Sequence, residues 1–280
     1  MSLMRKKTLK HTIFLRWRAT TVLIALNIIF FILFSILFAV IPNSHLYILL
    51  SAKQILQGEV WWTLMTSMFM HSGLFHLFVN MFSLFFLGNF CEQLLGRKRF
   101  LWLYLISGVF AGMFFVFGAA FGSQFSWGAR VFGGIDVFAT GASGALFGLL
   151  GALAMLIPRY KVYLIIGPII VFVVLTMTDS LFPSPFNFLL GILLNILLFL
   201  MVFSLFFPSL ILRKISLPLS LPLWLAPIIA IVPLVIISFT IDLPIGNSAH
   251  LGGLIAGLLY GTYLRLKYPQ KMLMLKRFFR

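Results

Sequence analysis

The chain has 280 residues, of which 62% are hydrophobic and only 9% charged, with 33 phenylalanines and a formal net charge of +16. No soluble domain could keep that much apolar and aromatic surface from water, so the composition excludes a soluble globular fold and defines a polytopic membrane protein. The positive charge is accounted for by membrane orientation and attraction to anionic lipid heads, without nucleic acid.

Residues 1–19 are polar and basic, and the apolar run that follows is long enough to span and stay, so a cytoplasmic tail and an anchor are expected rather than a cleaved signal. A span needs about 20 apolar residues. Runs near 20–41, 72–91, 101–121, 142–157, 162–178, 187–211, 219–241 and 248–266 predict about eight helices. Basic clusters alternate along them: six cations from Arg5 to Arg18, then Arg97, Lys98 and Arg99, then Arg159 and Lys161, then Arg213 and Lys214, then Lys267 to Arg280. Lys and Arg collect in short cytoplasmic loops. Both termini, including a basic tail at 269–280, are therefore expected in the cytoplasm, with the plasma membrane as the expected location. Loops near 43–66, 122–140, 179–186 and 242–247 then face outward.

The fourth run stands out because at 1.5 Å per residue it covers only ~24 Å. Its start should lie below the outer surface, where irregular backbone is tolerated only inside protein or beside a wet cavity. The glycine-rich approach (Gly133, Gly134, Gly141) leads to Ser143 at that start. Far along the chain, His250 heads the last run. Gly144, Gly148 and Gly151 form one small-residue stripe, and Gly253, Gly257 and Gly261 form another, the spacing that lets membrane helices approach closely. Each stripe alone reads as packing, and a serine in such a helix commonly bonds its own backbone. Serine and histidine heading two such stripes point instead to a nucleophile and its base, since polar groups within a membrane are functional candidates.

The second run carries His71, Ser72, His76 and Asn80. His76 and Asn80 share a helical face. With the Ser143 amide they suit the stabilisation of negative charge on a carbonyl oxygen; alternatively they form an interhelical hydrogen-bonded pair. His71, nearer the surface, reads as a structural residue that supports the outer loop and lines the site. Only five acids exist, Glu59, Glu92, Asp136, Asp179 and Asp242, and none falls mid-membrane. That excludes a paired-aspartate protease, and no His-Glu-x-x-His is present for zinc. Ala145 also breaks the Gly-x-Ser-x-Gly elbow of soluble hydrolases. A Ser-His dyad without metal or cofactor remains, with Asp242 a minor candidate to orient the imidazole.

These residues resemble the rhomboid intramembrane serine proteases. The family's His-x4-His-x3-Asn run, Gly-x-Ser-Gly nucleophile and Ala-His-x2-Gly-x3-Gly base helix correspond to His71/His76/Asn80, Gly141/Ser143/Gly144 and Ala249/His250/Gly253/Gly257, in the family's order. The resemblance implies Ser143 as nucleophile, His250 as general base, and His76 and Asn80 as oxyanion side chains supported by Gly141 and Gly144. It also implies that Phe147 packs against the base, and that Glu92, Gly96 and Arg97 form the turn after the second helix. It covers roughly Trp62 to Pro158 and Asn247 to Tyr268. Two departures stand out. Thr63 follows Trp62 where the family often has arginine, and the chain between Ser143 and His250 exceeds a six-helix core.

The excess is assigned to an added hairpin at about 187–241, within a membrane domain of residues 20–268. By order, 162–178 is taken as the family's fifth helix, with 179–186 as its outer cap. Prolines 218, 222, 227 and 233 are expected to kink or break the run at 219–241. Cys91 is single and allows no intramolecular disulfide. The expected fold is an all-α polytopic membrane protein with a rhomboid-like six-helix core, and the expected partners are transmembrane protein substrates and the bilayer. The resemblance implies an endopeptidase cutting transmembrane segments near the outer leaflet. The alternative is an inactive relative that binds membrane clients.

Overall fold

A computed structural model describes residues 18–165, 170–171, 174, 186–203, 218–239 and 246–278. Helix α1 spans Ala19–Val40. The first N–H groups of a helix have no acceptor within it, and for α1 another helix supplies one. The Glu92 carboxylate accepts from the Ala19 N–H at 2.8 Å, the Thr20 N–H at 2.9 Å and the Thr20 hydroxyl at 2.7 Å. Glu92 lies near the end of α2, Leu74–Leu95, whose middle opens into a wide π turn at Leu84–Gly88. Gly96, at φ +81°, then reverses the chain into α3, Arg97–Gly122.

Between α1 and α2 the chain crosses one end of the bundle. Strand β1 (Leu50–Ser51) pairs antiparallel with β2 (Phe138–Ala139), Leu50 opposite Ala139 and Ser51 opposite Phe138. The Trp62 indole donates to the Tyr47 carbonyl at 2.9 Å, and the Thr66 hydroxyl to that of Ile48 at 2.8 Å. Thr63, where the family often has arginine, is buried, and its hydroxyl has no hydrogen-bond partner among the described residues.

Helix α4, Ser143–Leu156, has 14 residues. It is ~21 Å long, short of a core of ~30 Å, in line with the short fourth run. It packs against α3 and against α7, Asn247–Lys267. The approach is set by backbone. A Cβ at Gly253 would fall on the Gly144 carbonyl, and one at Gly257 on that of Gly148. One at Gly151 would lie 2.6 Å from the Leu254 carbonyl oxygen. On the other flank, Ala111 and Ser107 of α3 press on Gly144 and Gly148. The main apolar core surrounds this trio, from Leu77, Met81 and Leu84 through Phe100, Leu103 and Tyr104 to Leu149 and Leu153.

Among the described residues, α1, α2 and α3 are long and apolar enough to cross a membrane, and α4 and α6 (Ala226–Ser238) are shorter apolar helices. With α7 they form an all-α polytopic fold. The region after α4 departs from the expected spans. Lys161–Ile165 is strand β3, not the start of a helix over 162–178, and it pairs antiparallel with β4, Pro218–Pro222. Helix α5 spans Phe186–Phe203, and the rest of the expected run at 187–211 lies outside the described residues, as does almost all of 179–186. The run at 219–241 begins as strand and becomes helical only at Ala226, packing against α4 and α7. Proline explains the late start: Pro218 and Pro222 have no N–H to give a helix and fix φ, whereas Pro227 falls in the first turn, where its missing N–H costs nothing. In β3, Val162, Tyr163 and Ile165 are β-branched or aromatic, and such runs have the hydropathy of a span without being one. Helix α8, Pro269–Phe278, closes the described chain.

Gly257→Val places a Cβ on the Gly148 carbonyl and carries two further methyls, and is expected to destabilise the protein by about 3 kcal/mol or more. Thermal unfolding in a neutral detergent against wild type measures it.

Candidate active site

The two stripes bring their first residues together. Ser143 Oγ and His250 Nε2 lie 2.9 Å apart, so with Nε2 unprotonated the hydroxyl donates to it. Ser143 opens α4 and His250 lies in the first turn of α7. The glycine contacts below them hold the two helices close enough for this bond. The Phe147 ring stacks on the imidazole with centroids 4.4 Å apart and planes at 24°, the packing the resemblance implied. Both side chains of the pair are half-buried. Among the described residues no carboxylate bonds to His250, and Asp242 lies outside them.

His76, also half-buried, approaches from α2. Its Nδ1 accepts the Ser72 N–H at 3.4 Å and lies 3.0 Å from the Ser72 hydroxyl. A backbone N–H can only donate, so Nδ1 is the acceptor and in the neutral ring Nε2 carries the hydrogen. That nitrogen faces Gly141: an added Cβ there would sit 3.0 Å from Nε2 and 2.8 Å from Cε1. Gly141 has φ +113°, a conformation other residues rarely adopt. It is tied down by its N–H donating to the Ser67 carbonyl at 2.9 Å, while the Thr140 hydroxyl donates to that of Met70 at 3.0 Å. The approach to Ser143 and the approach to α2 are thus one bonded unit.

Asn80 is buried one turn further along α2, where its amide NH2 donates to the His76 carbonyl at 2.8 Å and its Oδ1 has no partner among the described residues. His71 is fully buried. Its ring centroid is 5.1 Å from that of His76, its edge approaches Gly141, and neither ring nitrogen has a hydrogen-bond partner among the described residues. It packs beside His76 and against Gly141, at the approach to Ser143. Gly144 lies under the pair, against Ala111 and α7. Ser67 was not singled out in the sequence, and Ser72 was noted in the second run but given no role, although it stands four positions before His76, within reach of its ring.

A half-buried hydroxyl bonded to an imidazole, at the N-terminus of a helix within a polytopic membrane protein, defines a membrane protein with a candidate serine-nucleophile site. The family model of the Rhomboid domain matches residues 58–205, more than half of the chain, and the chain belongs to the rhomboid family. Rhomboid protease GluP of Bacillus subtilis is 35% identical over 138 residues, 48% of this chain and 24% of GluP. RHOMBOID-like protein 1 of Arabidopsis thaliana is 43% identical over 103 residues, 36% of this chain and 23% of that protein. Inactive RHOMBOID-like protein 8 of the same plant is 39% identical over 84 residues, 30% of this chain and 24% of that protein. The chain thus spans about a quarter of the length of these curated relatives. The family match stops before α7, so His250 is placed beside Ser143 by the geometry of the fold.

Gly141→Ala adds a methyl against the His76 ring at a strained φ and is expected to cost about 1–3 kcal/mol. Gly73→Ala, whose Cβ meets nothing within 4 Å, is expected to change stability by less than about 0.5 kcal/mol. Paired unfolding curves check both.

Proposed function

We propose that the protein is an intramembrane serine endopeptidase. The observation that carries this is the 2.9 Å contact between Ser143 Oγ and His250 Nε2 at the head of α4 and α7. In this reading Nε2 takes the hydroxyl proton as Oγ adds to the carbonyl carbon of a substrate peptide bond. The resulting oxyanion is met by the Ser143 N–H, free of an intrahelical acceptor at the helix start, and by the Nε2–H of His76. Asn80 supports His76 through its carbonyl, and its second amide hydrogen is a further donor. The imidazolium then returns the proton to the departing amine, the C–N bond breaks, and an acyl-enzyme remains for water to hydrolyse.

The substrate class is a transmembrane segment of another protein, presented from the bilayer and locally unwound. The alternation of basic clusters supports cleavage near the outer leaflet, with both termini in the cytoplasm of a plasma-membrane protein. Helix α6 precedes α7 and packs against both α4 and α7, so it takes the place first given to 162–178 as the core's fifth helix. Residues 161–222 then form the insertion, bounded by the β3–β4 pair. A client-binding role without catalysis is the second reading, favoured by the relative named inactive. A pure binder, however, has no use for a serine and histidine held in contact.

In liposomes with a transmembrane substrate carrying a helix-breaking segment, wild type is expected to release a cleaved fragment and Ser143→Ala none. Asn80→Ala and His76→Ala are each expected to slow cleavage by about 10²-fold, the usual effect of losing one oxyanion donor. Gel analysis of the fragments over time measures all four. An intact substrate that is nevertheless retained by wild type and by Ser143→Ala alike would favour the client-binding reading.

A further inference from the structure

At the end of α7 far from the dyad, roughly 25 Å along its axis from His250, three cations gather on one ring. The Arg99 guanidinium lies 4.9 Å from the Tyr268 centroid and donates to its hydroxyl at 3.0 Å. The ammonium groups of Lys267 and Lys271 lie 5.8 and 5.5 Å from the same ring, and that of Lys267 also donates to the Tyr263 hydroxyl at 2.6 Å. Among the described residues no acid pairs with these cations. The one ion pair among the described residues joins Lys53 to Asp136, next to the β1–β2 pair, and the Glu92 carboxylate is engaged by the start of α1. The sequence has no acid after Asp242. A tyrosine face offsets only part of such a charge.

Beside the ring is a cavity of about 530 Å³. Its walls are Leu94 and Leu95 of α2, Leu156 of α4, Leu264 of α7 and Leu275 of α8, and Arg99 and Lys271 also line it. It is therefore apolar inside and cationic at one side. It lies where α3 starts and α7 ends, so at the level of a lipid head group. A free phosphate would engage the cations and leave the leucines wet, and a zwitterionic lipid would bring its own ammonium to the cations. An anionic lipid satisfies both.

We propose that this cavity binds one anionic phospholipid, with its phosphate held by Arg99 and Lys271 beside the charge of Lys267, and an acyl chain lying along Leu94, Leu156, Leu264 and Leu275. Each cation near an anionic lipid contributes about fivefold in binding. The test is native mass spectrometry of the full chain from neutral detergent, with phosphatidylglycerol, phosphatidylcholine or glycerol phosphate added. Wild type is expected to retain phosphatidylglycerol over phosphatidylcholine by at least about tenfold. The preference should fall to within about twofold in Arg99→Gln/Lys271→Gln and persist in Lys53→Gln, a change of charge elsewhere. Met272→Trp, which fills the cavity without changing charge, should weaken phosphatidylglycerol retention and serves if the double variant does not fold. The proposal is overturned if wild type shows no preference, if the double variant keeps it, if Met272→Trp leaves retention unchanged, or if glycerol phosphate is retained as well as the lipid.

Discussion

The structure depends on how closely the backbones of α4 and α7 can run. Gly253 and Gly257 lie on the carbonyls of Gly144 and Gly148, with no room for a side-chain carbon. In a bilayer the hydrophobic effect does little to bring helices together, because lipid tails are as apolar as leucine, so contact between small residues takes its place. The glycines therefore set both the stability of the central trio and the separation of the residues at its head. Ser143 and His250 stand 2.9 Å apart because the helices beneath them cannot stand further off without losing that packing.

The rest of the site is arranged around this seam by two hydrogen bonds that cross between chain segments and one within α2's approach. Ser67, Met70 and Ser72 fix Gly141, Thr140 and His76 in turn, so α2 and the approach to α4 are set against each other before any substrate arrives. Such preorganisation is what electrostatic stabilisation of an oxyanion requires. At the far end, Glu92 does the corresponding job for α1, replacing the acceptors its first turn lacks. Strands β3 and β4, which follow α4 and precede α6, pair with each other, so the chain between them returns beside the point where it left.

Much of this was legible in the sequence where a residue type has few uses within a membrane. Ser143, His250, His76 and Asn80 stood out as polar groups in apolar runs, and the structure brings Ser143 to His250 and sets His76 against Gly141. Glycine spacing announced the seam, and the 14-residue α4 matched the short fourth run. Residues 161–165 and 218–225 were not legible, since hydropathy is the same for a strand and a span, and only proline spacing hinted that helix could not start before 223, whereas the run from 187 does form helix α5. Ser72 was given no role because a serine before a helix is ordinarily a cap.

The central claim is that His250 activates Ser143. Treating the purified protein with a fluorophosphonate and mapping the adduct by peptide mass spectrometry tests it most directly. The account predicts one adduct, on Ser143, formed at least about 10³-fold more slowly in His250→Ala, as expected when a nucleophile loses its base. Labelling of Ser143 at an unchanged rate in His250→Ala, or no adduct on Ser143 in the folded wild-type protein, would contradict it.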